Sequence, residues 1–308
     1  MTYSTIDHAL GSPQGRYFGQ GHRRSTYAFT PTDVTRGRVT GVCAIGHDGV
    51  WSAKDTGTVA RHLSTIDAVS LAGLAIEAAL RLEPVAVEAL FVTDVSIRAG
   101  SSATEDLTTV NLEAQVAWNL ATRVFDCVAR VGTMKLTLTV APVPGAPEVM
   151  APEHAPAFFA RHLAERIQHI SDLDIRCDAG SMRARFGALA VGNGPPGRFS
   201  GLQSAHAELL SASEAIVCLA QLAQTMAYEF DQLSRDDSAV FWLRRLNVSL
   251  DAPRLRVGQL VDVDVHVVRT NELRVAGDSW RTLRLEACTD GLRALADVAH
   301  VLPNSAGA

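Results

Sequence analysis

The chain has 308 residues, 47% apolar and only 20% charged, so it can bury a sizeable core in one large or two medium domains and is no disordered polymer. A formal net charge of −5 removes the electrostatic footprint of a general nucleic-acid binder. No apolar run approaches the roughly 20 residues of a membrane span, and the opening MTYSTIDHALGSPQG lacks both the basic region and the apolar stretch of a signal peptide. The expectation is a cytoplasmic protein with neither nucleic acid nor membrane as partner. Five dispersed cysteines without a CxxC pair argue against a disulfide framework and a zinc site.

Residues 1–36 are rich in Gly, Ser, Thr and Arg without periodicity, and predict an irregular N-terminal arm. Alternation from Arg38 to Val50 predicts a strand ending in the turn Gly46-His47-Asp48-Gly49. From Ser64 to Leu82 apolar residues run almost all the way round a helix, which must therefore be buried. Four β-branched segments follow, from Leu90, Leu107, Thr122 and Thr133, and predict an antiparallel meander that completes a first unit over 37–142. Three prolines between Ala141 and Glu148 predict a linker at 143–152, and a second unit should occupy 153–308. There Glu153–Ile170 reads as an amphipathic helix, Arg183–Val191 as a strand, and Ser211–Phe230 as a second helix apolar nearly all round. Strands over Gln259–Val268, Leu273–Cys288 and Leu292–Leu302 close the chain.

The organisation repeats. Ser64-x-x-Asp67-Ala-Val69 is echoed by Ser211-x-x-Glu214-Ala-Ile216, and Asp94-Val95-Ser96-Ile97 by Asn247-Val248-Ser249-Leu250. Two copies of a buried helix wrapped by an antiparallel sheet predict an α+β double hotdog; a pair of unrelated α+β domains is the alternative. Such a fused unit is self-sufficient as a monomeric pseudo-dimer, or pairs as a homodimer.

The cluster Arg16-Tyr17-Phe18-Gly19-Gln20-Gly21-His22-Arg23-Arg24, followed some forty residues later by His62-Leu63-Ser64-Thr65-Ile66-Asp67-Ala68, resembles the AvrD family of bacterial proteins linked to syringolide synthesis. The same double-hotdog plan is shared by the AfsA-type γ-butyrolactone synthases. The resemblance implies joining of a β-ketoacyl thioester, carried on acyl carrier protein or coenzyme A, to a small polyol such as xylulose or dihydroxyacetone phosphate, then ring closure to a butenolide-like metabolite, with no cofactor. Two alternatives remain: a thioesterase or dehydratase on acyl thioesters, and a non-catalytic acyl-binding regulatory protein.

Acyl transfer needs a base, donors for the carbonyl oxyanion and a slot for the chain. Because a helix N-terminus aims backbone N–H groups outward, the expected site lies at the start of a buried helix, with the alkyl chain in a tunnel beside that same helix. In the first half this selects His62, Ser64, Thr65 and Asp67, with Asp67 as base, His62 as proton carrier and amides near Ser64 as oxyanion donors. In the second half it selects Gln203, His206 and Glu214. Both acids have a second reading as members of a capping box, which satisfies backbone donors and does no chemistry; His206 reads equally as a surface histidine. Lys54 is a candidate for phosphate or a Schiff base, or plain solvated surface, and Arg16, Arg23 and Arg24 for phosphate or for pairing with the chain's own acids. The denser polar set makes the first half the preferred active half. His154, His162 and His169 are spaced too widely along the predicted helix for a metal site, and no G-x-S-x-G elbow or Gly-rich nucleotide turn occurs.

Overall fold

The computed structural model describes residues 1–54, 57–100, 102–143, 154–191, 199–238, 241–251 and 254–303. The chain opens with strand β1 (Thr2–Thr5), the single-turn helix α1 (Ile6–Leu10) and two 3-10 turns, then forms the hairpin of β2 (Ser25–Thr35) and β3 (Arg38–His47). A two-residue ladder of β4 (Ala53–Lys54) and β5 (Gly57–Thr58) leads into helix α2 (Thr65–Leu80). The strands β6 (Leu90–Arg98), β7 (Val110–Asn119), β8 (Val124–Val131) and β9 (Met134–Pro142) end the first half. The second half has the single-turn helix α3 (Phe158–Arg161), strands β10 (Arg166–Arg176) and β11 (Ser181–Ala190), and helix α4 (Ala212–Phe230). It closes with β12 (Phe241–Leu250), β13 (Val261–Val275), β14 (Asp278–Thr289) and β15 (Leu292–Val301).

All strands but β4 and β5 join one antiparallel sheet in the order β1-β10-β11-β13-β14-β15-β12-β6-β9-β8-β7-β3-β2. Read outward from the β12–β6 junction, the two sides are copies: β6-β9-β8-β7-β3-β2 matches β12-β15-β14-β13-β11-β10. The fold is a double hotdog, with α2 and α4 as the two wrapped helices. The echoed tetrapeptides lie on the pseudo-two-fold axis, where Ser96 pairs with Asn247 and Asp94 with Ser249 across the junction. Side chains seal it, since Ser96 Oγ donates to Asn247 Oδ1 at 2.7 Å.

Both helices are buried nearly all round because the sheet curls over one side and the other elements cover the rest. Gly73 in α2 is required by a close approach: a Cβ there would lie 2.4 Å from Cγ of Phe159, whose ring packs against the helix. The strand β11 and both long helices agree with the sequence reading, and three other assignments need correction.

Residues 25–35, expected as part of an irregular arm, form β2, whose inward Tyr27 and Phe29 alternate with Thr and Ala that disguise the period. Residues 166–170, the end of the helix expected over Glu153–Ile170, instead open β10, in which Arg166, Gln168 and Ile170 face inward while Ile167 faces out. Leu273–Val275 belong to β13 rather than to the strand after it. The predicted linker at 143–152 lies almost wholly outside the described residues.

Candidate active site

A cavity of about 360 Å3 opens between the two halves, within the size range of small-molecule sites. One wall is α4, which presents Ile216, Leu219, Ala220 and Ala223 at helical spacing, and Leu243, Leu246, Ala296 and Val298 of β12 and β15 face it. The polar end is built by the start of α2 (His62, Ser64, Thr65) and by Arg16, Tyr17, Trp51 and Lys54. The apolar slot thus runs beside α4 while the polar head lies at the N-terminus of α2. This corrects the expectation that one helix supplies both, because the fused pseudo-dimer sets the start of one wrapped helix against the flank of the other.

Ser64 caps α2, its Oγ accepting from the Asp67 amide at 3.1 Å while the Asp67 carboxylate accepts from the Ser64 amide at 3.0 Å. The capping box predicted for Asp67 therefore exists. It is only part of what the carboxylate does. Asp67 Oδ1 also accepts from the Tyr17 hydroxyl at 2.8 Å and the Tyr27 hydroxyl at 2.9 Å, and Ser64 Oγ donates to the Tyr17 oxygen at 2.8 Å. The result is a chain from Ser64 Oγ through Tyr17 to Asp67, with Ser64 and Tyr17 on the cavity wall and the acid behind them, 1% exposed. Burial, and then the Asp67 charge, push the Tyr17 and Tyr27 phenols well above their usual range, so both remain proton donors.

His62 lies at the same end, its ring edge-on to Trp51 at 4.6 Å. Its Nδ1 is 3.0 Å from the Ala60 carbonyl; a carbonyl only accepts, so Nδ1 carries the proton and Nε2 is left basic. Thr65, the first helical residue, lines the cavity, and its amide and that of Ile66 lie in the turn where a helix has no internal partner. Lys54 also lines the cavity, where burial lowers its pKa and its ammonium donates to the Ser238 carbonyl.

The start of α4 carries the same capping box between Ser211 and Glu214, in other company. Arg166 donates to both Glu214 oxygens, at 2.9 and 2.8 Å, in a fully buried ion pair. Burial pushes the Glu214 carboxyl up, but the Arg166 charge, with hydrogen bonds from Arg166 and the Ser211 amide, outweighs it and holds it below the usual range. His162 stacks on Phe158 and reaches Ser211 Oγ at 3.2 Å, while His22 bridges the Tyr17 carbonyl and Gln168. Burial lowers both imidazoles to about 4.

Five candidates lie away from the cavity. Glu214 is paired with Arg166; His206, 3% exposed, lies neither on the surface nor on the cavity wall and binds the Ala89 carbonyl at 3.1 Å. Gln203 is buried with its Oε1 facing the Val92 amide, and Arg23 binds the Ala164 carbonyl. Arg24 reaches the Val50 carbonyl, at 3.5 Å. Arg16 does line the cavity, but it is spent on Asp7 and Gln221. Tyr17 and Tyr27 were missed by the residue-level reading; the signal was the arm cluster itself, where a tyrosine sits inside an otherwise Gly- and Arg-rich run.

Residues 1–303 match the family described as Pseudomonas avirulence D protein (AvrD). The chain belongs to the AvrD family. No curated protein sequence matches it. Among solved structures it is similar to a putative thioesterase from Novosphingobium aromaticivorans, at 12% identity and TM-score 0.44 over 90% of this chain and 99% of that one. It is also similar to an acyl-CoA thioesterase II from Mycobacterium marinum, at 10% identity and TM-score 0.43 over 89% and 97% of the two chains. A third likeness is to a trans-AT polyketide synthase dehydratase domain from Brevibacillus brevis, at 11% identity and TM-score 0.40 over 86% and 93%. Among the described residues of this AvrD-family chain, no helix is long and apolar enough to cross a membrane.

Proposed function

We propose that this AvrD-family protein is an acyltransferase that joins a β-ketoacyl thioester to a hydroxyl of a small polyol, in the synthesis of a butenolide- or syringolide-like metabolite. The observation that carries the reading is the cavity itself: an apolar slot along α4 that ends at two hydroxyls, Ser64 and Tyr17, wired to a buried carboxylate. The alkyl chain lies against Leu219, Ala220 and Ala223, and the thioester carbonyl points at the Thr65 and Ile66 amides, which stabilise the oxyanion. The polyol hydroxyl attacks that carbon and gives its proton to Ser64 Oγ; the Ser64 proton moves to Tyr17 and the Tyr17 proton to Asp67. As the tetrahedral adduct collapses, the C–S bond breaks and the thiolate takes the proton back from Asp67 through Tyr17 and Ser64, directly or by way of His62 Nε2, which accepts it and passes it on, leaving an ester and a free thiol. Asp67 is thus the terminal base, acting through Tyr17 rather than on substrate directly, and Lys54 and Thr65 are polar neighbours of the acceptor.

The test is mass spectrometry of products from β-ketooctanoyl thioester with and without xylulose or dihydroxyacetone phosphate. An acyl–polyol adduct is the expected product, and it should disappear in Asp67→Asn with the fold intact. Release of free β-keto acid alone, faster than in a protein-free control, would replace this reading by a thioesterase, and an untouched thioester that still raises the melting temperature would replace it by a binding protein.

A further inference from the structure

The outer face of the sheet carries a row of four cations beside the cavity. Arg245, Arg98, Lys135 and Arg130 stand directly opposite one another on the neighbouring strands β12, β6, β9 and β8. Cross-strand partners share a face, and all four are exposed. Arg244, at the bulge beside Arg245, is exposed as well. Like charges directly opposite one another destabilise a sheet, and here three such contacts follow in succession in a chain whose net charge is −5. Among the described residues none of the four has a carboxylate within salt-bridge distance. The acids that flank the row are taken: Asp297, opposite Arg245, binds Arg284 at 2.6 Å, and Glu113, opposite Arg130, binds Arg38 at 3.0 Å.

The row is continuous with the cavity rim. Ala99 and Gly100 follow Arg98, Met134 precedes Lys135, and Leu243 lies two residues before Arg245, and all of these line the cavity. Four adjacent strands make a row about 15 Å long. Side chains that project in parallel from a sheet do not converge on one point, so the row suits a line of carboxylates on a rigid acidic surface better than the single diphosphate of a nucleotide.

We propose that this row is the docking surface for an acidic carrier protein, which delivers its thioester on a flexible arm past Ala99 and Gly100 into the cavity. The inference rests on the acyl-transfer reading for its purpose. It adds the form of the donor, carrier protein rather than coenzyme A.

The experiment compares wild type with Arg98→Glu/Lys135→Glu on three β-ketooctanoyl donors: the bacterial fatty-acid acyl carrier protein, coenzyme A, and N-acetylcysteamine, which has neither protein nor phosphate. The double variant turns the two outer like-charge contacts, with Arg245 and Arg130, into opposite-charge ones and leaves the middle one like-charged, so its melting temperature should not fall. Expected is a rise of about tenfold or more in KM for the carrier-bound donor, with loss of its salt dependence, and unchanged kinetics on N-acetylcysteamine. An unchanged KM for the carrier-bound donor would overturn the proposal, as would an equal loss on N-acetylcysteamine. A loss confined to coenzyme A would overturn it in favour of nucleotide-phosphate binding. Direct titration of the unacylated holo-carrier separates this inference from the reading it rests on: wild type should bind it and the double variant should bind about tenfold more weakly, even if no thioester is consumed. Equal binding, or none to wild type, would overturn the docking surface while leaving the cavity chemistry standing.

Discussion

The two wrapped helices begin with the same sentence, Ser-x-x-acid closed into a capping box, and diverge in what surrounds it. At α2 the acid meets two phenols and is one hydroxyl away from a cavity. At α4 it meets a guanidinium, its capping serine is held by a neutral imidazole, and the acid is sealed. A carboxylate faced by neutral donors keeps its capacity to take a proton, whereas one paired with arginine is held ionised. The difference between the proton acceptor proposed at α2 and the ion pair at α4 is therefore made by residues far away in sequence, acting on one duplicated local motif.

The comparison breaks most visibly at Arg166. Arg166→Leu leaves Glu214 buried without its counter-charge and should cost about 3–5 kcal/mol in chemical denaturation, with the surviving folded fraction keeping its specific activity. A large loss of specific activity in folded protein would assign chemistry to the second cap.

Acid should also find the second half first. His22 and His162 have folded-state pKa values of about 4, set by burial, against 6.5 when unfolded. A depressed histidine contributes stability that is complete above pH 6.5 and is lost as pH falls from there to about 4, on the order of 3 kcal/mol for each. Glu214, held below 4.5, adds a further loss at still lower pH. Denaturation curves at pH 7, 5.5 and 4.5 should show the decline, and His162→Asn should flatten it; an unchanged slope in that variant would remove His162 from the account.

Tyr17→Phe sharpens the other side. It cuts the relay between Ser64 and Asp67, so kcat should fall about a hundredfold, roughly 2.7 kcal/mol, with little change in KM. Tyr27→Phe removes a phenol that touches Asp67 but does not line the cavity, and should cost only about 1 kcal/mol of stability with kcat within a few-fold of wild type. Equal kinetic losses in the two variants would mean that both phenols merely hold the carboxylate in place.

Much of this was legible in the sequence, where the information is local. Both capping boxes and both buried helices follow from a Ser-x-x-acid start and an apolar run of helical period. The duplicated tetrapeptides pointed to the repeat and turned out to face each other at its axis. What stayed hidden was non-local or disguised. Tyr17 acts fifty residues from its partner Asp67, and no periodicity connects them. Strand β10 was misread because Phe158, Phe159 and Leu163 belong to short helical turns that run straight into it, giving the whole stretch an apparent helical period. The slot was placed beside the wrong helix because fusing two units decides which flank faces which cap, and neither repeat contains that information alone.

The first 24 residues belong in sequence to the first half, yet they are fastened to the second. Strand β1 adds to β10, Tyr3 reaches Glu229, Arg16 reaches Gln221 and His22 reaches Gln168. Every one of those anchors is translated long after the segment that binds it. At usual elongation rates of about 5–20 residues per second, the interval to the end of α4 is on the order of ten seconds or more. The segment that carries Tyr17 therefore gains its second-half anchors only when the second wrapped helix has been made, and until then Tyr17 is held against Asp67 by first-half contacts alone.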